Sequence, residues 1–155
     1  MKKTKNNGFT IAEAITTLAI ASIVVLLTLG LILIINNIQN NQKNLAFLEN
    51  EYSQATSEID SFLNNYSIDG YGFEIAGDNV IKISKDLNEY SLTFDENAKK
   101  LTAQIYNFNT SQVSLVEKTF EKIIDITFTN QNGLIKCSFE FNNGTSLEKL
   151  FTFGV

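Results

Sequence analysis

One carboxylate, Glu13, stands in a run of 27 residues, 9–35, that carries no other charge. About 20 apolar residues in helical form cross a bilayer core of roughly 30 Å, and this run is longer than that. A carboxylate inside such a helix costs on the order of 3 kcal/mol at mid-membrane, so Glu13 needs either an aqueous edge or a cation. Lys2, Lys3 and Lys5 precede the run with no acid among them. That bias keeps the amino terminus cytoplasmic and sends the rest of the chain outward. Other residues that could do chemistry are few. The chain has no His and no Arg, which removes an imidazole base, a bidentate phosphate clamp and the usual zinc ligand sets. Its one cysteine, Cys137, falls on the apolar parity of an alternating segment and reads as a small buried hydrophobe. Asp95, Glu96 and Asn97 have the oxygens for calcium, but their spacing fits no ligating loop and reads as a plain turn. No enzyme, metal or cofactor is expected.

The order Gly8-Phe9-Thr10-Ile11-Ala12-Glu13, behind a basic leader and ahead of a long apolar run, resembles the prepilin N-terminus shared by type IV pilins, type II secretion pseudopilins and competence pseudopilins. The resemblance covers about the first quarter of the chain. It implies a leader, residues 1–8, that a prepilin peptidase removes between Gly8 and Phe9, with methylation of the new terminus on Phe9. It implies that Glu13 and Phe9 serve assembly. Ala12 stands where the family usually has a large aliphatic residue, and Gly30 where many major pilins have Pro. The implied protein is a structural subunit, a minor pilin or pseudopilin, held in the cell membrane by a single span with its C-terminal domain outside. Its implied partners are the prepilin peptidase, other pilin subunits through the N-terminal helix, and the assembly machinery of a pilus or pseudopilus used for DNA uptake, adhesion, motility or secretion.

The physics of that arrangement does not depend on the family. Cutting after Gly8 removes three lysines and leaves an α-amine on Phe9. Beside a neighbour's Glu13 in low dielectric, each charge is costly alone and tolerable as a pair, so a subunit docked one turn out of place leaves both unpaired. Ala12, Thr16 and Ala19 follow a 4,3 spacing that lets helices approach closely, and Thr16, Thr17, Ser22 and Thr28 can bond across helices or back onto their own backbone. Two plainer readings compete. A secretory signal has an apolar core of roughly 7–15 residues and a small-residue cleavage site after it; this run is too long and lacks that site. A single-pass anchor for a surface binding module that never assembles is the stronger rival, with Glu13 snorkelling to the interface from ~6 Å along the helix axis.

Past the run, residues 36–155 number 120, enough for one domain with its own core. They hold 9 lysines against 16 acids, a balance that does not favour direct nucleic-acid binding. A lone cysteine excludes an intrachain disulfide. Ile38, Leu45, Leu48, Tyr52, Ala55, Ile59, Phe62 and Tyr66 form one apolar stripe. Neither Pro nor Gly interrupts 31–69, so a helix is expected to about residue 66. Its heptad spacing could also serve a coiled coil, but the β-rich stretch that follows needs cover, so the 36–66 part is expected to pack on a sheet formed by 71–155. In that later stretch the period changes to two. Strands are expected at 71–75, 80–83, 90–95, 101–105, 124–128, 135–141 and 147–153, while 111–122 stays open between helix and strand. Asn132-Gly133 and Asn143-Gly144 mark hairpins in which both residues tolerate positive φ. The expected fold is α+β and pilin-like: a long N-terminal helix, half transmembrane and half amphipathic, on an antiparallel sheet.

Because Gly8 presents no side chain to an approaching peptidase, Gly8→Val should leave full-length protein in the membrane. Intact-mass spectrometry checks this, and normal loss of residues 1–8 from the variant would refute the processing reading.

Overall fold

The computed structural model describes residues 10–66, 73–85 and 88–153. One helix, α1 (Ile11–Tyr66), precedes eight strands: β1 (Phe73–Ile75), β2 (Val80–Lys85), β3 (Asn88–Asp95), β4 (Lys100–Asn107), β5 (Gln112–Thr119), β6 (Ile123–Gln131), β7 (Leu134–Phe141) and β8 (Ser146–Phe151). The chain divides into two compact units, Met1–Leu45 and Ala46–Val155.

In the first unit the described residues are helical from Ile11 onward and exposed throughout. Gly30 sits in this stretch with open space where a Cβ would lie. No close approach among the described residues therefore requires a glycine here, which costs about 1 kcal/mol of helix propensity relative to Ala.

The second unit contains the last turns of α1 and both sheets. Here α1 buries Leu48, Glu51, Ala55, Thr56, Ile59, Phe62 and Leu63, the 3–4 spacing of one helical face. Ile38 and Leu45 remain 50% and 58% exposed. The packing stripe thus begins at Leu48, two apolar positions later than the sequence pattern suggests, and Tyr52 and Tyr66 flank it half-buried.

The expected α+β arrangement is present, with its strands divided between two sheets, β1-β2-β3-β4-β5 and β6-β7-β8. All pairings are antiparallel and join consecutive strands. The first sheet contributes Ile81, Ile83, Leu92, Phe94 and Leu101 to the core. The second contributes Ile123, Ile126, Phe128, Ile135, Cys137, Phe139, Phe141 and Phe151. The helix face reaches both: Tyr52 meets Phe139 edge-on at 5.1 Å, and Tyr66 stacks on Tyr90 at 4.3 Å. The open segment 111–122 supplies β5, whose Val113 and Val116 have β-favouring side chains and which keeps full register with β4.

The two Asn-Gly pairs make different turns. Asn132 (φ 54°) and Gly133 (φ 85°) both enter the left-handed region between paired Gln131 and Leu134, the two-residue turn that matches strand twist. At the other pair only Gly144 does so (φ 80°). Its N–H donates to Phe141 O, and Phe141 N–H donates to Thr145 O, both at 2.9 Å, a three-residue loop closed by a glycine bulge. The β3–β4 and β4–β5 loops share one design. Asp95 Oδ1 accepts from Asn97 and Ala98 N–H, Asn107 Oδ1 accepts from Asn109 and Thr110 N–H, and Lys99 and Ser111 then take φ of 51° and 52°.

Between β5 and β6 the chain passes from one sheet to the other through residues 120–122, and Glu51 holds that passage. Its carboxylate, on a residue only 6% exposed, accepts backbone N–H bonds from Glu121 (2.7 Å), Lys122 (2.8 Å) and Ile123 (3.1 Å). Phe120 N–H donates to Lys99 O and Asn142 N–H to Lys122 O, both at 2.9 Å. Charge-assisted bonds of this kind are roughly twice as strong as neutral ones. Glu51 lies on the apolar face between Leu48 and Ala55, a position that a hydrophobic pattern alone leaves unmarked.

Denaturant melts of a fragment starting at Gln39, which lacks the apolar run, test this packing. Phe62→Ala should cost ~3–5 kcal/mol, and Glu58→Ala, on the exposed side of α1, under ~1 kcal/mol. Glu51→Gln should cost about 1–3 kcal/mol, because an amide NH2 cannot accept from the buried N–H groups. Equal midpoints for all three variants would refute the assignment of helix faces.

Candidate functional site

Gly8 and Phe9, the expected cleavage and methylation residues, lie outside the described residues. Just ahead of α1, Thr10 and the first-turn residue Glu13 satisfy each other. Thr10 N–H and Oγ1 both donate to Glu13 Oε2 at 2.8 Å, and Glu13 N–H donates to Thr10 Oγ1 at 3.3 Å. Ala14 N–H reaches Thr10 O at 3.1 Å. This is a reciprocal capping box, in which residues three apart cover each other's free backbone donors at a helix start. A carboxylate here also faces the positive end of the helix dipole. Glu13 thus has a purpose within its own chain, one that the spacing Thr-x-x-Glu could have revealed.

The hydroxyls that follow turn inward to their own backbone. Thr16 Oγ1 donates to Ala12 O (2.9 Å) and Glu13 O (3.0 Å), and Thr17 Oγ1 to Glu13 O (2.7 Å). Ser22 Oγ donates to Leu18 O (2.8 Å), and Thr28 Oγ1 to Val24 O (2.7 Å). Every one of these polar groups is satisfied without a neighbour, so the segment presents an apolar exterior, with Ile11, Ile15, Leu18, Ile20 and Ile23 all more than half exposed. By length and composition α1 can cross a membrane, with all backbone bonds internal as hydrocarbon requires. It is a candidate membrane anchor.

In the second unit, one polar cluster links the sheets. Asn79 Nδ2 donates to Glu96 Oε1 (2.9 Å) and to Asp125 Oδ1 (3.1 Å), while Phe128 N–H donates to Asp78 O at 2.6 Å. Burial, followed by the neighbouring Glu96 carboxylate, pushes the Asp125 carboxyl above its usual range. Bonds from Ile126 and Asn79 oppose the shift, and Glu140 adds to it. Cys137 is fully buried, and desolvation raises its thiol to about 12, the behaviour of an inert core side chain. Asp95, in the loop weighed for calcium, spends one oxygen on its own turn. Among the described residues no group of three or more His, Cys, Asp or Glu could hold a metal ion.

No protein-family model, curated protein or solved structure matches the chain.

The Asp125 cluster yields a pH prediction. A carboxyl whose folded pKa is raised keeps its proton in the native state where the unfolded chain has lost it, so stability falls as pH rises through that window. Asp125→Asn removes this penalty. Its melting temperature relative to the parent should be higher at about pH 7 than at about pH 4. An unchanged difference between the two pH values would refute the raised Asp125 carboxyl.

Proposed function

We propose that this chain is a type IV pilin-like structural subunit, a minor pilin or pseudopilin. A prepilin peptidase processes it after Gly8, and Phe9 and Glu13 direct its assembly into a pilus or pseudopilus for DNA uptake, adhesion or motility, or secretion. The observation that carries the proposal is a single helix used in two ways. In the first unit it buries none of its apolar surface; in the second its face is part of the core. An apolar helix left exposed among the described residues of its own unit calls for cover by lipid or by other chains, and the same surface suits both. Transfer between the two loses little, because hydrocarbon and neighbouring apolar helices solvate it alike. Small residues at Ala12, Thr16 and Ala19 permit close approach, and the satisfied hydroxyls of Thr16, Thr17, Ser22 and Thr28 impose no fixed partner. The prepilin-like residues Gly8, Phe9 and Glu13 select the assembled outcome over the stored one.

The single-pass surface module remains the competing reading, and one observation favours it: Glu13 is already bonded to Thr10. Under that reading the carboxylate only caps a helix, a contribution of about 0.5–2 kcal/mol. In the assembly reading it must also meet the α-amine of an adjacent subunit.

Glu13→Ala separates the two. The variant should be processed and stay in the membrane yet be depleted from sheared surface filaments by at least about tenfold, the factor that ~1.4 kcal/mol of lost pairing produces. Terminal sequencing of the parent should read methylated Phe9. Met1 at the terminus, or wild-type incorporation of Glu13→Ala, would overturn the proposal.

A further inference from the structure

Three Asn-x-Ser/Thr triplets stand in the chain, at Asn65, Asn109 and Asn143, the pattern of an acceptor for an asparagine-linked glycan in a surface loop of an exported domain. The structure separates them. Asn65 lies in the last turn of α1, with its Nδ2 donating to Ser61 Oγ at 3.3 Å. In the β4–β5 loop the turning side chain is Asn107, whose Oδ1 accepts the N–H groups of Asn109 and Thr110, so the triplet at Asn109 is bent by a residue outside it. In the β7–β8 loop residues 142–145 are all exposed, and the triplet bends on itself. Asn143 Oδ1 accepts from Thr145 N–H at 3.0 Å, an Asx turn. That bond leaves the other side of the carboxamide free: among the described residues neither Asn143 Nδ2 nor Thr145 Oγ1 has a hydrogen-bond partner. Gly144 has open space where a Cβ would lie. The Asx turn accounts for Asn143 and the bulge for Gly144, but the loop makes no demand for a hydroxyl at 145.

We propose that Asn143 is a modification site, the acceptor of an N-linked saccharide delivered from a polyprenyl pyrophosphate carrier by a membrane-bound transferase. Asn143 Nδ2 attacks the anomeric carbon of the first sugar. A C–N bond forms, the C–O bond to the pyrophosphate breaks, and the carrier leaves as polyprenyl pyrophosphate. The amide nitrogen gives up one proton to a base of the transferase, so atoms and charge balance with no change of oxidation state. Thr145 Oγ1 is the group the transferase reads. It distinguishes this loop from the other Asn-Gly hairpin, Asn132-Gly133, where the next residue is Leu134. The saccharide enters solvent without disturbing the loop, because the bonds that close it, Gly144 N–H to Phe141 O and Phe141 N–H to Thr145 O, are backbone bonds. Such an addition is bulky and solubilising. The proposal rests on the exported placement of the second unit given above, and not on entry into a filament.

Mass spectrometry of the full chain recovered from the cells that make it tests the site. Cleavage after lysine frees Cys137–Lys149 as one peptide that carries no other such triplet. That peptide should bear a saccharide mass, and electron-transfer fragmentation should place it on Asn143. Asn143→Gln and Thr145→Ala should each abolish the added mass, whereas Thr145→Ser, which keeps the hydroxyl, should retain it. The Thr145 pair separates recognition from folding, since the backbone bond of residue 145 is present in both variants. External protease on intact cells reports the placement of the domain. A bare peptide from chain that the protease reaches would overturn the proposal alone, and a bare peptide from chain that it cannot reach would remove the exported placement as well. A saccharide found on Asn109 in place of Asn143, or retained in Thr145→Ala, would also overturn it.

Discussion

The carboxylate of Glu51 is the interaction on which the arrangement of the second unit turns. Two sheets and one helix face share a core, but apolar packing alone has no direction and tolerates sliding. Three convergent N–H groups on one anion do not. By binding Glu121, Lys122 and Ile123 together, Glu51 sets where the first sheet ends, where the second begins, and how far along α1 both must sit. Successive backbone amides around an anion form the concave cradle that proteins use for phosphates and other anions; here the anion is supplied from inside. The burial of Glu51 is tolerated because its hydration is replaced by these donors, and among the described residues no buried side-chain nitrogen or oxygen lacks a partner.

Near the start of the helix a second carboxylate, Glu13, has a local role that leaves room for the intermolecular one proposed above. Glu13 uses one oxygen on Thr10 and has the other available, since an ionised carboxylate accepts about four bonds. Capping and pairing with a neighbour's amine are therefore additive. The cap also fixes the rotamer of Glu13 before any neighbour arrives, which lowers the entropy lost on docking. A helix start that holds its acid in place is prepared for a cation on either reading of the function.

Much of the fold was legible because its signals are local. The uninterrupted apolar run, the change of period after α1, and the Asn-Gly pair at 132–133 each state a backbone preference that tertiary context had no reason to override. The misses are non-local. Ile38 and Leu45 continue the stripe by spacing, but whether a helix position is covered depends on where the sheets reach, which spacing cannot say. Glu51 breaks the apolar pattern because its partners lie 70 residues away. The segment 111–122 was ambiguous because β5 is an edge whose exposed faces mix apolar and polar residues. The division into two sheets depends on the crossing at 120–122, where Phe120 and Ile123 look like strand residues in sequence. At the candidate site, the capping spacing of Thr10 and Glu13 was readable, while the cleavage residues before it rest on resemblance to the prepilin terminus.

The order of the strands bears on how the domain comes together. Each strand pairs only with the one before or after it in the chain, so sheet formation never waits for a distant segment, and hairpins of this kind close in about 1–10 μs. The costly closure is the one that brings α1 back to residues 121–123, across a separation of 70 to 72 residues. Closure entropy grows only logarithmically with such a span, and contact order otherwise stays low for a β-rich chain. A polypeptide made from its N-terminal end forms its helix first, then completes β1 to β5 before β6 appears. The carboxylate that locks both sheets is already present by then, awaiting the amides it binds.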